Sequence, residues 1–292
     1  MKLYQASLFV KESYILAEGP AYDQTTGMLT WVDIKGCKLC RMAADGTVRE
    51  TQVGQYLGAA VPTENGTYVG VMTTGLYEIG ENSIRQFCRP KELQDFQRAN
   101  DAKADLRGRL WFGTMPLFQS KNAYGDLYCY DGRICRRVLT GLGVPNGMDW
   151  SLDNKTMYFI DTAEKGVDAF DYDDRSGTIS NRRRAFSVDG LPDGMCIDRE
   201  GMLWVALWGS GRVMRFDPSN GQALACVEVP APNVSSCCFA GRDLDRLIIT
   251  TSGESHSDGV SGSLFCADVG VSGRGAFRVV TPPAGSRLQA NG

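Results

Sequence analysis

Four polar side chains in this 292-residue chain could do chemistry together: Glu18 in Glu18-Gly19-Pro20, Asn100 in Asn100-Asp101-Ala102, Asn146 in Asn146-Gly147-Met148 and Asp193 in Asp193-Gly194-Met195. Brought to one point, they offer two carboxylates and two carboxamides. An all-oxygen donor set suits a hard divalent cation, Ca²⁺, Mg²⁺ or Mn²⁺, and can also accept zinc or iron. Two carboxylates buried without a partner must either neutralise or hold a cation. A single Asp-Gly or Asn-Gly is equally a turn signal; four polar residues at one repeat position point to a single metal ion. A dedicated zinc site is not expected, because His256 is the only histidine and Cys37-x-x-Cys40 has no second pair at zinc spacing.

The elements that must position these residues follow from a repeat. Gly27-Met28-Leu29-Thr30-Trp31, Gly66-Thr67-Tyr68-Val69, Gly108-Arg109-Leu110-Trp111, Lys155-Thr156-Met157-Tyr158, Gly201-Met202-Leu203-Trp204 and Asp245-Arg246-Leu247-Ile248 begin six equivalent apolar strands, 39 to 47 residues apart. Short strands at this period indicate propeller blades, each burying its faces against its neighbours around an axis. The expected fold is all-β, a six-bladed β-propeller with a central channel, formed by residues 1–292 as one domain. Its ring is expected to close by pairing of Ala6–Phe9 with Ala276–Val280 in one blade. The innermost strand of each blade lines the channel, which places Glu18, Asn100, Asn146 and Asp193 at one end of it. In the same register Gly58 and Ser235 supply the other two blades.

Composition narrows the function classes. A net charge of −3 gives no electrostatic case for nucleic acid or an anionic membrane. The one basic cluster, Arg182-Arg183-Arg184, is expected in a solvated loop. Residues Met1–Tyr14 lack the apolar run of a signal peptide, and no window reaches a membrane-spanning length, so a cytoplasmic chain is expected. Ten cysteines scattered through strand-like segments then read as small buried hydrophobes and not as a disulfide framework. A monomer or weak homodimer acting on a small molecule is the expected form.

Leu16-Ala17-Glu18-Gly19-Pro20, Arg98-Ala99-Asn100-Asp101 with Gly113-Thr114-Met115, Pro145-Asn146-Gly147-Met148-Asp149, Pro192-Asp193-Gly194-Met195 and Asn233-Val234-Ser235-Ser236 resemble the family of senescence marker protein (regucalcin), gluconolactonase and luciferin-regenerating enzyme, in order and over nearly the whole chain. The resemblance implies a six-bladed propeller with one divalent metal on Glu18, Asn146 and Asp193. It implies substrate contacts from Arg98 and Asn100, and hydrolysis of a sugar lactone such as glucono-, xylono- or arabinolactone. Two departures stand out. Ala102 replaces the usual Gly, and Met115-Pro116-Leu117-Phe118 is apolar where some members place an acidic lid residue.

As a mechanism, Asp193 is the candidate general base beside a Lewis-acidic cation, with Arg98 and Asn100 orienting the sugar. A nucleophilic route is not expected, since there is no G-x-S-x-G elbow and His256 falls in a polar loop. The alternatives are a calcium-dependent phosphotriesterase-like hydrolase and a non-catalytic calcium-binding propeller.

Overall fold

The computed structural model describes residues 1–118 and 124–281. Gly27, Gly66, Gly108 and Gly201 each sit at φ between 70° and 82°, a left-handed conformation that only glycine adopts without strain. They close the tight hairpins from which the second strands start. Those strands are Met28–Asp33, Tyr68–Met72, Leu110–Pro116, Thr156–Asp161, Leu203–Trp208 and Arg246–Thr251, one for each sequence repeat.

Each second strand pairs antiparallel with an inner strand, and further strands follow outward in order to make six separate sheets. The inner strands are Ala17–Asp23, Leu57–Pro62, Gln97–Ala104, Pro145–Trp150, Leu191–Ile197 and Val234–Ala240, almost wholly buried. Each touches the inner strand before and after it, and the last touches the first. The fold is a six-bladed β-propeller; blades are numbered below in this order.

The chain start closes the ring, though not as expected. Ser7–Val10 adds the outermost strand of blade 6 by pairing antiparallel with Leu264–Asp268, not with 276–280. Lys2–Gln5 continues as a fifth, parallel strand on Ala223–Glu228 of blade 5. Blade 6 already builds three consecutive strands from 234–268, so its free edge is that of Leu264–Asp268. Residues 273–280 instead cross the channel end remote from Glu18. Ala276 N–H donates to Tyr22 O, Val279 N–H to Pro62 O and Val280 N–H to Gly108 O. Arg274 pairs with the buried Asp149, and Arg278 with Asp23. Those two arginines explain the departure: their carboxylate partners lie on this face, out of reach of a blade edge.

The Arg182–Arg184 triplet is also placed differently from expectation. It lies in the outer strand of blade 4, Thr178–Ser187, where Asp168 and Asp171 across the sheet take the three guanidinium groups. All ten cysteines are free thiols, six of them buried. Among the described residues no helix is long and apolar enough to cross a membrane.

Within a blade, a buried aspartate at the end of the inner strand ties the hairpin to the core. Asp105 Oδ1 accepts from the backbone N–H of Arg107 and Arg109, while Oδ2 accepts from Trp111 Nε1 (2.9 Å) and Tyr172 OH (2.6 Å). Asp198 repeats the pattern with Glu200, Met202 and Trp204. Removing such a carboxylate orphans several buried donors. Asp105→Ala is therefore expected to cost about 3–5 kcal/mol, read as a shift of the urea midpoint at constant slope.

Candidate metal centre

Every inner strand carries a β-bulge at the same place. The pairing register slips between Glu18 and Ala21, Leu57 and Ala59, Ala99 and Ala102, Pro145 and Met148, Pro192 and Met195, and Val234 and Ser236. The slips coincide with Glu18, Gly58, Asn100, Asn146, Asp193 and Ser235. A bulge re-aims side chains out of the ladder, here towards the channel mouth.

The glycines beside these residues do not make turns. A Cβ on Gly58 would meet the backbone of Ala99 and Asn100 at 2.8 Å, one on Gly147 would meet Met195 N at 2.6 Å, and one on Gly194 would overlap Ser236. They are required because inner strands approach backbone to backbone at the bulges. Gly194→Ala is expected to destabilise the fold and to weaken any ligand at Asp193, measured as a drop in melting temperature with and without divalent cations.

Hydrogen bonds stitch the inner strands together, each ending on the carbonyl just ahead of a site residue. Ser235 Oγ donates to Ala17 O (2.6 Å), Asn100 Nδ2 to Pro145 O (2.9 Å) and Thr162 Oγ1 to Pro192 O (2.7 Å). Arg98 Nη1 donates to Asn100 Oδ1 (2.9 Å), Asn100 Nδ2 also donates to Asn146 Oδ1 (3.0 Å), and Asn146 Nδ2 donates to Thr162 Oγ1 (2.8 Å). Arg98, Asn100 and Asn146 thus form one connected group. Both Asn100 amide hydrogens are committed, to Pro145 and to Asn146.

Glu18 and Asp193 lie on the inner strands of blades 1 and 5 at the mouth, close enough for each carboxyl to shift the other's titration. Both are more than nine-tenths buried. Burial, and then the charge of Asp101, pushes the Glu18 carboxyl from its usual 4.5 up to about 8. The Asp193 carboxyl is driven well above the carboxylate range by burial first and by Glu18 and Asp101 next. Arg98 offsets part of this for both groups. Asp101 was not among the residues singled out from sequence. It sits inside the bulge, its Oδ1 accepting from Ala102 N–H (2.7 Å). Thr162 was also missed; it follows the second strand of blade 4 and reaches across to blade 5. The rim holds Tyr56 and Trp208, both packed on the apolar cluster of Leu16, Ile34 and Leu57, and the Lys35–Glu254 ion pair. The lid stretch after Met115 is described only to Phe118, which is 81% exposed. His256 Nε2 lies 3.1 Å from Asn233 Nδ2, just ahead of the inner strand of blade 6.

The donor set fits a hard divalent cation. Two buried carboxyls held towards their protonated forms would give up protons to a metal, and Asn146 Oδ1 is a neutral oxygen on the neighbouring inner strand. Among the described residues no three His, Cys, Asp or Glu side chains converge, so a carboxamide must complete any such set.

Residues 16–253 match the family model described as the SMP-30/Gluconolactonase/LRE-like region. The chain belongs to this family. It is 36% identical over 253 residues to a regucalcin from Xenopus laevis, covering 83% of this chain and 85% of the relative. It is 35% identical over 252 residues to a protein of Bacillus subtilis (strain 168) named as a sugar lactone lactonase, covering 84% and 86%. A solved luciferin-regenerating enzyme superposes with a TM-score of 0.86 at 28% identity, covering 94% of this chain and 99% of that one. The family is gluconolactonase-like, and members carry lactonase names.

A raised carboxyl pKa fixes the sign of a pH effect. The folded state holds its proton more tightly than the unfolded chain does, so the stabilisation is complete below about 4.5 and is lost as pH rises towards about 8. In chelator, Glu18→Gln is therefore expected to gain stability relative to the unmodified protein across that window, most at its upper end. Urea unfolding at a series of pH values measures the gap; a gap that shrinks with rising pH would contradict the raised Glu18 pKa.

Proposed function

We propose that the protein is a divalent-metal-dependent lactonase that hydrolyses a sugar lactone, an aldonolactone such as glucono-, xylono- or arabinolactone, to its acid. The observation that carries this reading is the pair of buried carboxyls, Glu18 and Asp193, beside Asn146 Oδ1 at a channel mouth. The lactonase name of a relative at 35% identity supports the substrate class.

Glu18, Asn146 and Asp193 would hold the cation. Bound there, a divalent ion supplies Lewis-acid polarisation of the lactone carbonyl and offsets the charge of the oxyanion. Asp193, once ionised, would take the proton of the attacking water. Arg98 spends Nη1 on Ala99 O and Asn100 Oδ1. Its Nε and Nη2 make no hydrogen bond among the described residues, and they hold the sugar hydroxyls or the carbonyl oxygen. Asn100, with both amide hydrogens committed, offers the sugar only the remaining lone pair of Oδ1. It therefore accepts from a hydroxyl. Tyr56 and Trp208 on the rim supply apolar surface for the ring carbons.

The test strips the purified protein with chelator and adds back Ca²⁺, Mg²⁺, Mn²⁺, Zn²⁺ or Fe²⁺ singly. Acid release from five- and six-membered aldonolactones and from one fluorophosphate is followed with a pH indicator against spontaneous hydrolysis. Metal-dependent lactone turnover is expected, lost in Glu18→Gln, and lowered at least 100-fold in kcat by Asp193→Asn. Tight Ca²⁺ binding with no turnover of any substrate would replace the lactonase with a calcium-binding propeller. Turnover of the fluorophosphate alone would replace it with a phosphotriesterase-like hydrolase.

A further inference from the structure

The chain of hydrogen bonds at the mouth has a direction, and the groups at its two ends set it. Arg98 can only donate, and it donates to Asn100 Oδ1. That leaves Asn100 Nδ2 to serve Pro145 O and Asn146 Oδ1. At the other end Pro192 O can only accept, and it takes the single hydroxyl hydrogen of Thr162. Thr162 Oγ1 therefore has only lone pairs to offer Asn146, and it accepts from Asn146 Nδ2. Were the Asn146 carboxamide to flip, its oxygen would face the Thr162 oxygen with no proton between them. Its NH₂ would meet that of Asn100. Two donor–donor or acceptor–acceptor contacts in a buried site oppose the flip.

Thr162 itself is held firmly. It opens the 3₁₀ turn Thr162–Glu164, its N–H donates to Val144 O (3.0 Å), and Lys165 N–H returns to its own carbonyl. Asp161 just before it binds the N–H groups of Gly143 and Val144 (2.8 Å each). The loop that delivers Asn146 is thereby locked to the turn that carries Thr162. The carbonyl Thr162 donates to belongs to the residue ahead of Asp193, so one hydroxyl joins blade 4 to blade 5 between two site residues.

From this we infer that Thr162 is a positioning residue. It fixes Asn146 with its oxygen towards the channel and its NH₂ away, and so sets the site's affinity for a divalent cation without touching the cation. The inference rests on reading Asn146 as a metal ligand. Outer partners that orient a ligand are commonly worth about 10- to 100-fold in metal affinity.

The test compares the full-length protein with Thr162→Val, which keeps the shape and loses the hydroxyl, and with Thr162→Ser, which restores it. Mn²⁺ titrated into chelator-stripped protein is followed by its paramagnetic resonance signal. Thr162→Val is expected to weaken Mn²⁺ binding about 10- to 100-fold, and Thr162→Ser to recover most of it. A second readout needs no metal. The Asn146 side-chain NH₂, observed by nuclear magnetic resonance in chelator, is expected to be protected from hydrogen exchange in the unmodified and Ser proteins and unprotected in Val. Should Val fold poorly, Thr162→Ala, which also lacks the hydroxyl, takes its place in both measurements. Mn²⁺ bound equally tightly by all three, or an Asn146 amide equally protected in Val, would overturn the positioning role while leaving the metal centre standing. If the unmodified protein binds no divalent cation, the reading beneath it falls as well.

Discussion

Two carboxylates buried face to face repel each other, and neither can recover in the protein what it lost in water. The architecture around Glu18 and Asp193 answers that constraint. Arg98 supplies one compensating charge, burial pushes both carboxyls towards their protonated forms, and Glu18 Oε2 accepts from Gly19 N–H. Asp101 one layer below makes matters worse, adding a third negative charge to the axis. On the proposed reading, an arrangement so costly to the isolated fold serves as a receptor for positive charge, because the repulsion that weakens the empty protein is converted into affinity. Stability and the proposed function are then in opposition at this one point, and the rest of the propeller is built to withstand it.

What withstands it is backbone contact. At the bulges the inner strands come so close that Gly58, Gly147 and Gly194 admit no side chain, and carbonyls exposed there receive hydrogen bonds from the preceding blade. Glu18, Asn146 and Asp193 each follow a peptide group held in this way by a neighbour in the ring. A displacement of one blade would be felt by the next of these residues in line. Six equivalent sheets converge on a single rigid collar, while blades 3 and 5 keep their own aspartate-anchored hairpins farther out.

Much of this was legible in the residues. The glycine-led strands gave blade number and order, because each blade is local and its hairpins are encoded within some forty residues. The register that grouped Glu18, Gly58, Asn100, Asn146, Asp193 and Ser235 is the one at which the bulges occur. Less was legible where the outcome depends on which blade faces which. Thr162 looked like the residue after a strand until blade 5 was set beside it. Asp101 was one of two polar neighbours whose orientations only the bulge decides. Gly147 and Gly194 resembled turn formers, since Asn-Gly and Asp-Gly carry that signal, and their real role is a close approach between strands about fifty residues apart. The pairing of the chain start and the course of 273–280 failed to appear for the same reason: an edge strand's partner and an arginine's distant aspartate leave no local pattern.

The closure of the ring has a consequence for the birth of the molecule. Residues 2–10 are made long before their strand partners at 223–228 and 264–268. Until those partners are made the early residues have no sheet to join, and blades 5 and 6 present unfinished edges. Joining segments so far apart in sequence carries a loop-closure cost that grows only slowly with length, but the joining waits until the strand at 264–268 has been made. The propeller therefore cannot mature blade by blade into a finished product. Blade 6 is sealed by Ser7–Val10, so closure of the ring reports that the polypeptide has been made at least as far as Asp268.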